Sequence, residues 1–127
     1  MYILLVDDDT LFLHSLRDHL TVLGHHAILA QDGIRALREY EHSGPFDAVI
    51  TDMQMPYMSG LELLQAIWAD SNSIPALLHS SEPTGYMRDG QGRRKVDLRE
   101  TVSHFDFARF HLKDGSFGYV DAFLDTL

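Results

Sequence analysis

An open, parallel β-sheet covered by helices on both faces is the fold class this sequence predicts, and three observations predict it. Short β-rich apolar runs alternate with longer segments of helical period along the chain. The first run, Tyr2-Ile3-Leu4-Leu5-Val6, is apolar at consecutive positions, as a strand buried on both faces must be. Acids, serines and a lysine stand just past the ends of the runs, where ligands bind in sheets of this kind.

The elements follow in order. After the first strand comes Asp7-Asp8-Asp9, then a helix from about Thr10 to Leu23, with Leu13, Leu16, Leu20 and Leu23 on one face. Gly24 stands where a C-terminal cap belongs. His26–Ala30 is the second strand. Asp32 caps a second helix with the stripe Ile34, Leu37 and Tyr40, which Gly44-Pro45 ends. Phe46–Thr51 is the third strand, with Asp52 at its carboxyl end and a loop over Met53–Ser59. Ser59 and Glu62 form a capping-box pattern for a helix carrying Leu63, Leu64, Ile67 and Trp68. Ile74–His79 reads as the fourth strand, with Pro75 at its start.

Beyond Ser80 the alternation falters. Glu82–Lys95 holds three glycines, a proline and several charges, and reads as a loop. A weak helix is expected from Val96 to about Phe105 through Leu98, Val102 and Phe105. Phe107–Leu112 is the fifth strand, and Phe117–Leu127 a final helix with Val120, Leu124 and Leu127 inward. Right-handed crossovers follow from the twist of the strands.

The chain has 127 residues, enough for one domain, and its 45% hydrophobic and 23% charged residues are those of a globular protein. With no cysteine, disulfides and thiolate chemistry are excluded. The net charge of -9 argues against direct nucleic-acid binding, which needs a basic face. No apolar run approaches the ~20 residues that span a bilayer, and no signal peptide opens the chain, so no membrane insertion and a cytoplasmic location are expected. The eight histidines have no zinc-type spacing and are read as surface or satisfied residues.

The fold brings the strand-end residues together: Asp7, Asp8 and Asp9; Asp52; Ser80 and Ser81; and Lys113. Carboxylates about 4 Å apart repel by roughly 1 to 4 kcal/mol per pair, so their gathering calls for compensation. A hard divalent cation bound through oxygen supplies it, and magnesium, which keeps waters and accepts a phosphate oxygen, fits. With a fixed ammonium and a hydroxyl donor, the set suits in-line phosphoryl transfer to a carboxylate, with Asp52 as nucleophile.

These residues also carry a resemblance. Ile3-Leu4-Leu5-Val6-Asp7-Asp8-Asp9, Gln31-Asp32-Gly33, Asp47 to Pro56 through Thr51-Asp52-Met53, and Ser59-Gly60-Leu61-Glu62-Leu63-Leu64 resemble the receiver domain of bacterial two-component response regulators. The likeness runs from Ile3 to Ser81, and its two specific elements place Asp8 and Asp52 44 positions apart. It implies a flavodoxin-like, five-stranded sheet of order 2-1-3-4-5. It also implies that Asp52 is the phosphoacceptor, and that Asp7, Asp8, Asp52 and the Gln54 backbone carbonyl hold Mg2+. Ser80, Lys113 and the small Ser81 attend the phosphoryl group, and Phe110 is the switch aromatic. Implied partners are a histidine kinase or histidine phosphotransfer protein and an output protein that the sequence does not identify. The implied role is a signalling switch and not an enzyme, beyond taking up a phosphoryl group and losing it.

Two departures qualify the match. Lys113 is followed by Asp114-Gly115 where the family has proline, so the expectation is a trans bond, a tight turn with positive φ at the glycine, and a displaced lysine with weaker activation. Ser80 and Lys113 are also 33 positions apart, longer than the family norm, and the usual helix-four sequence is missing. Five of ten basic residues, Arg88, Arg93, Arg94, Lys95 and Arg99, fall in that segment. With Asp89 and Asp97 the stretch from 88 to 99 is +3, which leaves -12 for the remainder. The expectation is one receiver domain over 1–127 with an atypical loop at about 82–104 as a modified output surface. That loop would be mobile, or docked on an acidic partner, on its own domain or on a second copy as a homodimer. The rival reading is a degenerate receiver acting as a phosphorylation-independent binding module.

Overall fold

The computed structural model describes residues 1–69 and 73–127. Its centre is a five-stranded, all-parallel sheet. The strands are β1 (Tyr2–Val6), β2 (His26–Ala30), β3 (Ala48–Asp52), β4 (Ala76–Ser80) and β7 (Ala108–Leu112), in the order β2-β1-β3-β4-β7. Counting sheet strands alone, this is the order 2-1-3-4-5 that the resemblance implied. The helices are α1 (Thr10–Val22), α2 (Gly33–Ser43), α3 (Gly60–Ala69), α4 (Leu98–Val102) and α5 (Gly118–Asp125). No helix among the described residues is long and apolar enough to cross a membrane.

Alternation along β1 shows how two cores arise from one apolar run. Leu4 and Val6 join the layer beneath α2, α3 and α4, with Val49, Leu61, Leu64 and Leu78. Ile3 and Leu5 point the other way, into a layer with Leu13 and Leu16 of α1 and with Val120 and Phe123 of α5. Consecutive strand residues face opposite sides, so a strand in the middle layer must be apolar throughout.

The helix ends follow their sequence signals. Asp9 and Asp32 accept hydrogen bonds from the Phe12 and Arg35 amides at 3.2 and 2.7 Å, capping α1 and α2. Ser59 and Glu62 bond each other's backbone amides at 3.1 Å, closing the capping box ahead of α3. Gly24 donates to the Thr21 carbonyl just past α1.

Three apolar expectations fail at element ends. Leu23 is the C-cap of α1 and half exposed, Ile34 is exposed in the first turn of α2, and Leu127 lies past α5 in solvent. In each case a helical stripe was extended to a position where the helix no longer faces the sheet; α2 buries the small Ala36 instead. Two strands also begin later than expected: β3 at Ala48, and β4 after Pro75, whose carbonyl accepts from the Val49 amide.

The largest difference lies between β4 and β7. The segment expected as a loop is an antiparallel hairpin of β5 (Thr84–Asp89) and β6 (Gly92–Asp97), joined through Gly90 and Gln91. Val96 belongs to β6, and the weak helix is only the single turn of α4; Phe105, outside it, packs its ring on Trp68 at 5.0 Å. The Leu98 amide closes the hairpin's base on the Pro83 carbonyl at 3.0 Å, and Asp97 caps α4 through the Glu100 amide at 2.8 Å. Met87 and Val96 lie on the hairpin's inner side against the core. Gly85 gives that side its close approach: a β-carbon there would lie 3.0 Å from the Met53 methyl and 3.1 Å from Leu98.

Candidate functional site

The first, third, fourth and fifth strands of the sheet end at one edge, and their last residues turn polar there. Asp7 follows β1 and is buried; Asp52 ends β3 and is buried; Ser80 ends β4 and is buried. Lys113 follows β7 and is drawn in by its amide, which donates to the Ser80 carbonyl at 2.9 Å. Asp8 remains exposed at the rim. One carboxylate oxygen from each of Asp7, Asp8 and Asp52 lies within 4.8 Å of the others.

The Lys113 ammonium stands between the two buried acids, 2.9 Å from Asp7 Oδ2 and 3.4 Å from Asp52 Oδ1. It also lies over the Phe12 ring, 4.3 Å from its centre. The expectation of a displaced lysine is thus corrected. The Lys113–Asp114 peptide is trans, and Gly115 takes φ 85° as foreseen. Asp114 Oδ1 accepts from the Ser116 amide and hydroxyl at 3.0 Å, a side-chain turn that lets the chain leave β7 without proline while Lys113 points inward.

One ammonium does not compensate three carboxylates. Burial first, then the neighbouring Asp7 charge, pushes Asp52 up to about 7 against the opposing pull of Lys113. Burial likewise raises Asp7, although Lys113 and the Asp9 amide bond it. Burial alone pulls Lys113 down, but the bond to Asp7 and the charge of Asp52 outweigh it and hold the ammonium above its ordinary value. A pocket of hard oxygen donors with negative charge in excess fits a small divalent cation.

The remaining candidates are distributed around this centre. Gln54 is exposed and lines a cleft beside Asp8. Ser80 Oγ accepts from the Glu82 amide at 3.2 Å, and Ser81 is exposed. Phe110 is buried in β7, with the Arg99 guanidinium 5.3 Å from its ring centre. The basic residues do not share one surface: Arg99 sits on α4, while Arg88, Arg93, Arg94 and Lys95 are on the hairpin.

Sequence reasoning missed two features. His79, one position before Ser80, is 1% exposed, and its Nδ1 bonds the Tyr119 hydroxyl of α5 at 2.8 Å, with Nε2 3.9 Å from Asp7. Burial, with the Lys113 and His111 charges behind it, pushes the imidazole down to about 3, so it is neutral at pH 7. Its only sequence signal was a histidine inside an otherwise apolar strand. The second feature is a cleft of about 550 Å³ between the β3–α3 loop and the hairpin, lined by Asp8 and Gln54 on one wall and by Tyr86, Arg88 and Arg93 on the other. Gly90 and Gly92, on either side of Gln91, were the available turn signal for that hairpin.

Comparison with known proteins places this geometry. A family model described as response regulator receiver domain matches residues 3–89. Response regulator MprA of Mycobacterium sp. (strain KMS) is 40% identical over 76 residues, 60% of this chain and 33% of the relative. MprA of Mycobacterium leprae is 37% identical over 78 residues, 61% of the chain and 34% of the relative. The chain therefore spans about a third of the length of these curated relatives. Among solved structures, response regulator TrrA of Thermotoga maritima, in complex with Mg(2+)-BeF, aligns with TM-score 0.78 and 24% identity over 98% of this chain and 96% of that one. Vibrio cholerae chemotaxis protein CheY4 aligns with TM-score 0.79 and 21% identity over 98% and 96%. At these identities the solved structures speak for the fold alone.

Proposed function

This chain belongs to the response regulator receiver domain family, and from that premise we propose that it is a magnesium-dependent phosphoacceptor switch whose aspartyl phosphate forms on Asp52. The observation that carries the reading is the convergence of Asp7, Asp8 and Asp52 within 4.8 Å, with the Lys113 ammonium against two of them.

Asp7, Asp8, Asp52 and the backbone carbonyl of Gln54 are the residues to hold Mg2+. The ion supplies charge neutralisation at the phosphoryl oxygens during transfer. Each protein group then has a task. Asp52 attacks phosphorus through a carboxylate oxygen. Lys113 sets a fixed positive charge beside Asp7 and Asp52. The Ser80 hydroxyl, whose oxygen is bonded by the Glu82 amide, keeps its proton to donate to a phosphoryl oxygen. Ser81, small and exposed, leaves room for it. TrrA, which shares the fold, was solved in complex with Mg(2+)-BeF, and with the acidic cluster here that supports Mg2+ as the ion.

Phosphorylation changes the charge balance around Lys113 and Ser80, and that change biases the ends of β4 and β7, including Phe110, toward a second arrangement. The phosphoryl group comes from a histidine kinase or a histidine phosphotransfer protein, and the output is contact with another protein. In this reading the chain is the recipient of one transfer and its own slow hydrolysis, not an enzyme with an external substrate.

Titration with Mg2+ and beryllofluoride followed by amide NMR tests the reading. The expected result is saturable shifts that spread from Asp52 to Phe110 and the hairpin, together with Asp52→Asn protein that takes up no phosphoryl group from acetyl phosphate. Shifts that never appear favour a phosphorylation-independent binding module. Labelling that persists on another residue overturns Asp52, and steady release from many donor equivalents overturns the non-enzymatic role.

A further inference from the structure

The β5–β6 hairpin has two unlike faces. Pairing in register puts Met87 and Arg94, and Gly85 and Val96, on the side toward the core. The other side carries Tyr86 opposite Lys95 and Arg88 opposite Arg93. Like charges directly opposite on a two-stranded ribbon are unfavourable. Among the described residues no carboxylate forms an ion pair with Arg88 or Arg93, although Asp8 and Glu62 line the same cleft. Arg93 is nonetheless held in place, its guanidinium 4.4 Å from the centre of the Tyr86 ring. Two arginines at one paired position of the ribbon, one of them anchored on an aromatic ring, give a chain of net charge -9 a local cationic spot for an anion.

The site's location says which anion. Tyr86, Arg88 and Arg93 wall the cleft that Asp8 and Gln54 line opposite. Asp8 is the exposed member of the acidic cluster and lies within reach of Asp52. The cleft meets the acidic cluster through Asp8, so a donor seated against the hairpin wall lies beside the carboxylates to which Asp52 belongs. A donor with a negative charge of its own meets repulsion over most of this surface and attraction from the hairpin wall.

We propose that Arg88 and Arg93 form a cationic wall that draws in an anionic acyl phosphate donor, turns guanidinium N–H groups toward its acyl oxygens and presents its phosphorus to Asp52. The proposal rests on the phosphoacceptor reading and adds to it residues outside the family's strand-end set. In the step itself a bond forms between an Asp52 carboxylate oxygen and phosphorus. The bond from phosphorus to the donor's acyl oxygen breaks, and its electron pair leaves with the carboxylate, acetate in the case of acetyl phosphate. The arginines face that departing charge. They are positioning residues: they hold the donor and exchange no proton with it.

The test compares initial rates of Asp52 labelling by acetyl phosphate with Mg2+, across a range of KCl, for the wild type and three variants. Arg88→Ala/Arg93→Ala is expected to be about tenfold slower at low salt, the lower end of what charge steering supplies, and to lose most of the salt dependence that the wild type shows. Arg88→Lys/Arg93→Lys is expected to recover much of the rate, since it restores the charge. Arg17→Ala, which removes one positive charge from α1, leaves the rate unchanged. Beryllofluoride has no leaving group, so its affinity in the alanine pair stays within about twofold of wild type, which also reports an intact fold. An alanine pair that labels at the wild-type rate overturns the proposal and leaves the phosphoacceptor reading standing. So does one whose beryllofluoride affinity falls as far as its rate. A wild type that takes no label on Asp52 while beryllofluoride fails to bind overturns both.

Discussion

Asp52 is the residue where the fold works against itself. Its carboxylate is buried beside Asp7, and the pair is only partly offset by Lys113. In metal-free protein the folded state holds a proton on Asp52 up to about pH 7, whereas an unfolded chain releases it near 3.8. Between those values the folded state binds more protons, so this group favours folding at low pH and loses that contribution as pH rises through about 7. Asp52→Asn is therefore expected to stabilise the metal-free protein more at pH 8 than at pH 4.5, by an amount on the order of a few kcal/mol at pH 8. Urea unfolding in EDTA at the two pH values checks this; an equal effect at both, or destabilisation at pH 8, contradicts it. Asp7, Asp8, Asp52 and Lys113 were legible from sequence because each closes a recognisable run. His79 was not, because its partner Tyr119 lies 40 positions away and is reached only through the packing of α5 on the sheet.

At the scale of elements, the join between β3 and α3 sets how accurately Asp52 is placed. The Gly60 amide donates to the Met53 carbonyl at 2.9 Å, which pulls the start of α3 against the end of β3. A β-carbon on Gly60 would lie 2.0 Å from the Asp52 backbone carbonyl oxygen, and backbone cannot move aside as a flexible side chain can. Gly60→Ala is expected to destabilise by about 1–3 kcal/mol, the range of overpacked sites, and to shift the Asp52 amide resonance. Thermal or urea unfolding with a proton–nitrogen correlation spectrum measures both, and an unshifted Asp52 with wild-type stability refutes the steric account. The helices and the parallel strands were readable because each carries a full period and a cap. The hairpin was not: its inner face offers only Met87 and Val96, and Gly85 buries no side chain at all. The alternation that marks a strand was thus nearly empty, and the charges of the outer face dominated the sequence. Its turn through Gly90 and Gln91, with Gly92 at positive φ just after it, carried the signal instead.

For the whole molecule, topology does what no single element does: it brings residues from β1, β3, β4 and β7 to one sheet edge. Strand order followed from the alternation and the family likeness together, and boundaries shifted by one or two residues because strand ends are fixed by pairing partners that sequence does not show. The consequence is a fold whose stability depends on what the strand ends bind. Asp7, Asp8 and Asp52 converge only in the folded chain, so a divalent cation binds that state and stabilises it by mass action. At a hundredfold over its dissociation constant Mg2+ adds about 2.7 kcal/mol, which for a chain of this size is roughly 10 °C in melting temperature. A proton on Asp52 competes with the ion, so the upward shift is expected to be larger at pH 8 than at pH 5.5, on either side of the value near 7. Asp7→Asn and Asp52→Asn each remove a ligand and should abolish most of it. Melting followed by circular dichroism over a Mg2+ series, with KCl matched for ionic strength, separates the specific ion from screening. A shift that KCl reproduces, or one that survives in both variants, means that the three carboxylates are not the ion's site.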